Sequence, residues 1–176
     1  GSPFISYNLG VRGQTMAQIT DRAAPECAPR LPNADSGQIV MATGVNDLAH
    51  IRNAPPRLTL DDLAAILADA LPAIQAVAPL VVIGPTPVHD AKMPMLVGPK
   101  QVSVDLRNAD IARANERYRA VSLDSGTAYL DLFNILLDDP VYRDGLNAND
   151  GLHPNAAGYR AMAAHIFQSC EWKQLV

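Results

Sequence analysis

The chain has 176 residues, 48% of them hydrophobic, a mean hydropathy of +0.02, a formal charge of −4 and a pI near 5.4. That size fits one compact domain over residues 1–176 with a single substantial core, and its scattered Lys and Arg offer no basic field for nucleic acid. No apolar run approaches the ~20 residues that span a bilayer; the longest, 79–88, is broken by Gly84, Pro85 and Pro87.

In chain order, Gly1-Ser2-Pro3 carries neither a basic leader nor an apolar signal core, and Gly1-Ser2 reads as a tag remnant, so residue 1 need not be the natural start. Residues 4–9 form a β-branched and aromatic run that stops at Gly10, which predicts a strand. A glycine-punctuated turn through Gly13 leads into a helix predicted over 14–27, and residues 38–43 predict a second strand that ends in Gly44-Val45-Asn46-Asp47. Thr59 reads as the N-cap of a helix to about Val77, with Asp61 and Asp62 in its first turn and Leu60, Leu63, Leu67, Leu71 and Ile74 on one face.

The continuous apolar run Leu80-Val81-Val82-Ile83 predicts a strand buried on both faces. Residues 89–104 lack periodicity and hold Pro94, Gly98 and Pro99, so they read as a long loop of the kind that often serves function. A helix over about 105–122, a strand over 128–132, an irregular stretch containing Pro140 and Gly145, and a helix over 156–170 complete the chain. Cys27 and Cys170 have no metal-ligand spacing and read as buried or half-buried thiols rather than a disulfide.

Strands that alternate with helices require right-handed crossovers and a parallel sheet covered on both faces, an α/β class of fold. Every strand then ends at one edge, where ligands bind. Gly13, Asn46 and the pair Asp150/His153 all follow strands and so fall on that edge. Gly13 has no Cβ to keep a substrate from its backbone N–H, and it stands before a helix N-terminus, where free amides favour negative charge. Asn46 adds a side-chain amide, so the two describe donors for an oxyanion. Asp150 stands three residues before His153, the arrangement of a proton-shuttling imidazole held by its own carboxylate. Taken singly, each of these residues also suits an ordinary turn or cap; their convergence favours a site.

These residues carry a resemblance. Asn8-Leu9-Gly10-Val11-Arg12-Gly13-Gln14-Thr15 resembles the second block of the SGNH (GDSL) hydrolase family, Gly44-Val45-Asn46-Asp47 its third, and Asp150-Gly151-Leu152-His153-Pro154 its fifth, in the same order. The resemblance implies a flavodoxin-like, three-layer α/β/α domain, with Gly13 and Asn46 as oxyanion donors, His153 as general base and Asp150 as its orienting partner. It implies hydrolysis of small-molecule esters such as acyl glycerols, thioesters, lysophospholipids or acetylated sugars, with no metal or organic cofactor.

The family's first block, a Gly-Asp-Ser that supplies the nucleophile, does not occur in this sequence, and only twelve residues precede Gly13. Ser2, Ser36 and Ser125 lead into strands rather than follow them, Ser6 lies within one, Ser103 falls in the long loop, and Ser122 and Ser169 lie near helix ends. Thr43 is near the right edge but reads as structural. The nucleophile is therefore unknown, the expected domain is incomplete at its N-terminal side, and a slot is expected where the first, central strand would lie. Truncation, a complementing peptide or a rearranged strand would each fill it. A catalytically dead domain that binds an ester-bearing or glycan ligand is the alternative reading, and a nucleotide-binding or interaction domain of the same class is a third, for which Gly10-x-x-Gly13 is too short a phosphate turn.

His50 and His89 are candidate substrate contacts, each also readable as a solvated loop histidine. His165 reads as structural. No metal site is expected from His50, His89 and Asp47, because they lack close ligand spacing. Met93, Met95, Leu96 and Val97 are candidates for an apolar lid, or for packing under their loop.

Overall fold

The structure, a computed structural model, describes residues 5–32 and 37–173. Three parallel strands, β1 (Ile39–Ala42), β3 (Leu80–Ile83) and β6 (Ala128–Leu130), form the main sheet in the order β1-β3-β6. Helices α1 (Met16–Cys27), α2 (Leu60–Gln75) and α3 (Asn108–Asp124) cover one face, and α4 (Leu132–Leu137), α5 (Pro140–Ala148) and α6 (Ala156–Gln168) cover the other; α7 (Cys170–Lys173) follows.

β3 shows how the layers are built. Its side chains alternate between faces, so Leu80 and Val82 join a cluster with Leu63, Leu67, Ile111 and Tyr118, while Val81 and Ile83 join Leu136, Tyr142 and Leu146. All four strand residues are buried, as the unbroken apolar run requires. α2 starts where its sequence says it should: the Thr59 hydroxyl accepts from the Asp62 N–H while the Asp62 carboxylate accepts from the Thr59 N–H, and Leu63, Leu67, Leu71 and Ile74 point inward. Each fully buried leucine contributes roughly 1.5–3 kcal/mol through its removal from water.

Several expectations are corrected. Residues 5–9 form no strand: Ile5 is 79% and Tyr7 52% exposed, and strand propensity without a hydrogen-bonding neighbour does not make a strand. Phe4, Ser2 and Ser36 lie outside the described residues. Residues 89–104 are not one loop. His50–Ile51 (β2), Met95–Val97 (β4) and Val102–Asp105 (β5) form a small antiparallel sheet in the order β2-β5-β4, and Gly98 and Pro99 make the hairpin turn, where the Gln101 N–H donates to the Gly98 carbonyl. The stretch after β6 is not irregular either. Pro140 opens α5 at a position with no N–H partner to lose, capped by Asp139, and Gly145 sits where α5 meets α6. A Cβ on Gly145 would lie 3.1 Å from the Gly158 Cα, and one on Gly158 would lie 2.6 Å from the Pro154 Cβ.

Among the described residues β1 pairs only with β3. Its free side opens on a groove of about 770 Å³ lined by residues 5–10, α1, Phe167 and Trp172. Val40, on that edge, is 44% exposed. The groove lies where the sequence led us to expect a slot.

Candidate active site

The turn between α5 and α6 closes on itself. Asp150 Oδ1 accepts the N–H groups of Leu152 (2.9 Å) and His153 (2.7 Å), and Oδ2 lies 2.8 Å from His153 Nδ1. One short carboxylate thus fixes both the backbone of the turn and the ring that leaves it. A proton on Nδ1 satisfies the carboxylate and leaves Nε2 as the basic nitrogen. Burial pushes the Asp150 pKa up, but the bonds from the His153 N–H, the His153 ring and the Leu152 N–H outweigh it and hold the carboxyl below its ordinary value. Gly151 makes the turn possible: its φ is +88°, and a Cβ there would lie 2.6 Å from the Lys92 Cβ. Asn155 then caps α6 by accepting from the N–H groups of Ala157 and Gly158.

The donor side is assembled from more distant parts of the chain. Gly13 has φ +77° at the end of the turn before α1. Asn46 Nδ2 donates to the Gln14 carbonyl at 2.9 Å, and the Met16 N–H donates to Asp47 Oδ2 at 2.9 Å. The Gly13 turn and the Asn46 turn are therefore tied by two neighbouring bonds, a role for Asp47 that the sequence did not disclose. Of the amides at the α1 N-terminus, the Met16 N–H is taken by Asp47 and the Gln18 N–H by the Thr15 hydroxyl, which leaves fewer free than expected. Burial raises the Asp47 pKa, opposed by the Met16 N–H. Among the described residues the Gly13 N–H, the Ala17 N–H and the second amide hydrogen of Asn46 have no protein acceptor.

A GDSL-like lipase/acylhydrolase family model matches residues 2–161. The chain belongs to that family. In fold it is similar to a lipase/acylhydrolase from Enterococcus faecalis, with TM-score 0.69 and 17% identity over 92% of this chain and 72% of that one. It is also similar to a putative acylhydrolase from Bacteroides fragilis (TM-score 0.65, 20% identity, 93% and 73% covered) and to an acetyl xylan esterase (0.66, 16%, 95% and 79%). No curated protein sequence matches the chain at a significant level.

Two of the other histidines of this GDSL-family chain, His50 and His165, have carboxylate partners of their own. His50 Nε2 lies 3.0 Å from Asp110 Oδ2, which ties β2 to the first turn of α3; burial pushes Asp110 up, but His50 and Arg113 hold it below its ordinary value. His89 donates its backbone N–H to the Gly151 carbonyl at 2.8 Å and so touches the dyad turn, while its Nδ1 is buried without a protein partner. His165, read as structural, forms a second pair with Asp139 at 2.7 Å, which links α6 to the start of α5. Among the described residues no hydroxyl is hydrogen-bonded to His153. Ser122 is buried in α3, Ser125 and Ser169 donate to helix carbonyls, and Thr43 Oγ1 is buried unpaired at the end of β1. The cysteines are free; Cys27 is half-buried, as expected, but Cys170 is exposed.

Proposed function

We propose that the fold serves hydrolysis of small acyl or acetyl esters through an acyl-enzyme, with His153 as general base and Asp150 as its orienting carboxylate. Gly13 and Asn46 stabilise the oxyanion. The observation that carries this reading is the 2.8 Å bond between His153 Nδ1 and Asp150, which leaves Nε2 as the basic nitrogen. His153 takes the proton of the attacking hydroxyl, a tetrahedral oxyanion forms and collapses with release of the alcohol, and water repeats the sequence to free the acid. His50 and His89 are the proposed substrate contacts; His89 has the stronger support, since its backbone already meets the dyad turn.

The nucleophile in this proposal is not one of the serines in this sequence. It is a hydroxyl delivered to the same edge by an extended segment in the groove beside β1. A p-nitrophenyl acetate assay tests both parts, run on the 176-residue chain and on a chain extended upstream with its native sequence. Turnover confined to the longer polypeptide, and lost by at least about a thousandfold in His153→Ala, is the expected result. Turnover by the 176-residue chain that His153→Ala abolishes defeats the nucleophile assignment. Binding of an acetylated sugar with turnover in neither form makes the domain a ligand-binding one.

A further inference from the structure

The dyad turn fixes its own ring, but its seat in the fold is set from outside, and the residue with the most contacts there is Lys92. Lys92 closes the short turn 90–92 that follows His89. Its ammonium donates to the Asn149 carbonyl at 2.6 Å. Asn149 is the C-terminal cap of α5, so the cation sits at the negative end of that helix, where carbonyls lack intrahelical partners. Asn149 in turn uses its side-chain amide to donate to the His153 carbonyl at 2.8 Å. The path from ammonium to carbonyl to amide to the main chain of the base is continuous.

Two further contacts set the same residue against the turn. The Lys92 stem lies under Gly151, so close that a Cβ there would sit 2.6 Å from the Lys92 Cβ. The neighbouring His89 N–H holds the Gly151 carbonyl. The 90–92 turn has its own anchor on α3: the Asn108 side chain accepts from the Val88 N–H and donates to the Val88 carbonyl, both at 2.9 Å, and to Asp90 at 3.0 Å. Among the described residues Lys92 forms no ion pair; the residue is half-buried, and its ammonium bonds one carbonyl at the end of a helix.

We propose that Lys92 is a positioning residue that, through Asn149, sets the seat of His153 so that the ring meets Asp150 through Nδ1. The proposal rests on the reading of Asp150 and His153 as a catalytic pair, but its test requires no turnover. ¹⁵N NMR of the histidine rings of the 176-residue chain, at a pH where the ring is neutral, reports which nitrogen carries the proton. The wild-type chain is expected to hold the proton on Nδ1 of His153. Lys92→Met keeps the stem beneath Gly151 and removes the ammonium; the ratio of Nδ1–H to Nε2–H should fall, by up to about tenfold, the scale a charge-assisted bond can impose. Lys92→Arg should restore it, and the melting temperature and dispersion of the amide spectrum show that both variants are folded. An unchanged tautomer ratio in folded Lys92→Met overturns the inference and leaves the hydrolase reading standing. A wild-type ring with no Nδ1 preference, or one that Asp150→Asn does not alter, removes the dyad itself and both readings with it.

Discussion

The two halves of the site are built in opposite ways. The proposed acid–base half closes internally through bonds between residues two and three apart, Asp150 to Leu152 and to His153. The proposed donor half is held by bonds that span 31 and 32 residues, Met16 to Asp47 and Asn46 to Gln14. A turn closed by its own residues defines its internal geometry locally and needs the rest of the fold, here Lys92 and His89, only to seat it, whereas a geometry closed across the fold lasts only as long as the packing around it.

The largest effects that separate the halves are catalytic. In an ester-hydrolysing form, Asp150→Asn should lower kcat by at least about a hundredfold through loss of the Nδ1 acceptor, with KM little changed. Asn46→Ala should lower kcat by about a hundredfold as well, as removal of one oxyanion donor does elsewhere. Asn46→Ala should also perturb the amide signals of Gly13 to Met16, while Asp150→Asn leaves them in place. Equal disturbance of both halves by either variant would break the comparison.

A smaller effect concerns the scaffold under the acid–base half. Gly158→Val should destabilise the fold by about 1–3 kcal/mol, read as a lower denaturant midpoint, because the added atoms meet Pro154 and the Gly145 backbone with no room to give. Gly98→Ala, where a Cβ meets nothing within 4 Å but φ is +70°, should cost less.

The smallest effect is one of pH, and its sign differs between the halves. Asp150, whose pKa is lowered, contributes stability that is present above the ordinary carboxylate range and lost as pH falls; Asp47, whose pKa is raised by burial, contributes stability that is present in acid and lost as pH rises through its folded value. Between about pH 5 and about pH 3 the melting temperature should therefore fall less in Asp150→Asn than in wild type, and more in Asp47→Asn. Identical slopes would place both carboxylates outside the acid response.

What could be read in the sequence follows the same division. The Asp150/His153 turn was legible because its chemistry is contained in four residues, and α2 because Thr59 and Asp62 form its cap locally. β3 was legible from an apolar run that only double burial explains. The strand expected over 4–9 failed because a strand exists only by pairing, which no local pattern reveals. Gly98-Pro99 and Pro140/Gly145 were read as interruptions because breakers mark both a loop and the ends of short elements; here they turn a hairpin, open a helix and admit a neighbouring helix. Asp47 and Lys92 carried no signal, since their partners lie 31 and 57 residues away.

Where Gly145 and Gly158 meet, main chain rests on main chain with no side chain between. Side-chain packing yields a little when a core is warmed or squeezed, since rotamers can change; a backbone contact has no such freedom and acts as a hard stop. α5 ends just before Asn149 and α6 begins just after Asn155, so the stop sits at the base of the loop that bears His153. The position of the imidazole should therefore drift less with temperature and pressure than that of Asn46, whose turn is tied to the start of α1 through the Asn46 and Asp47 side chains.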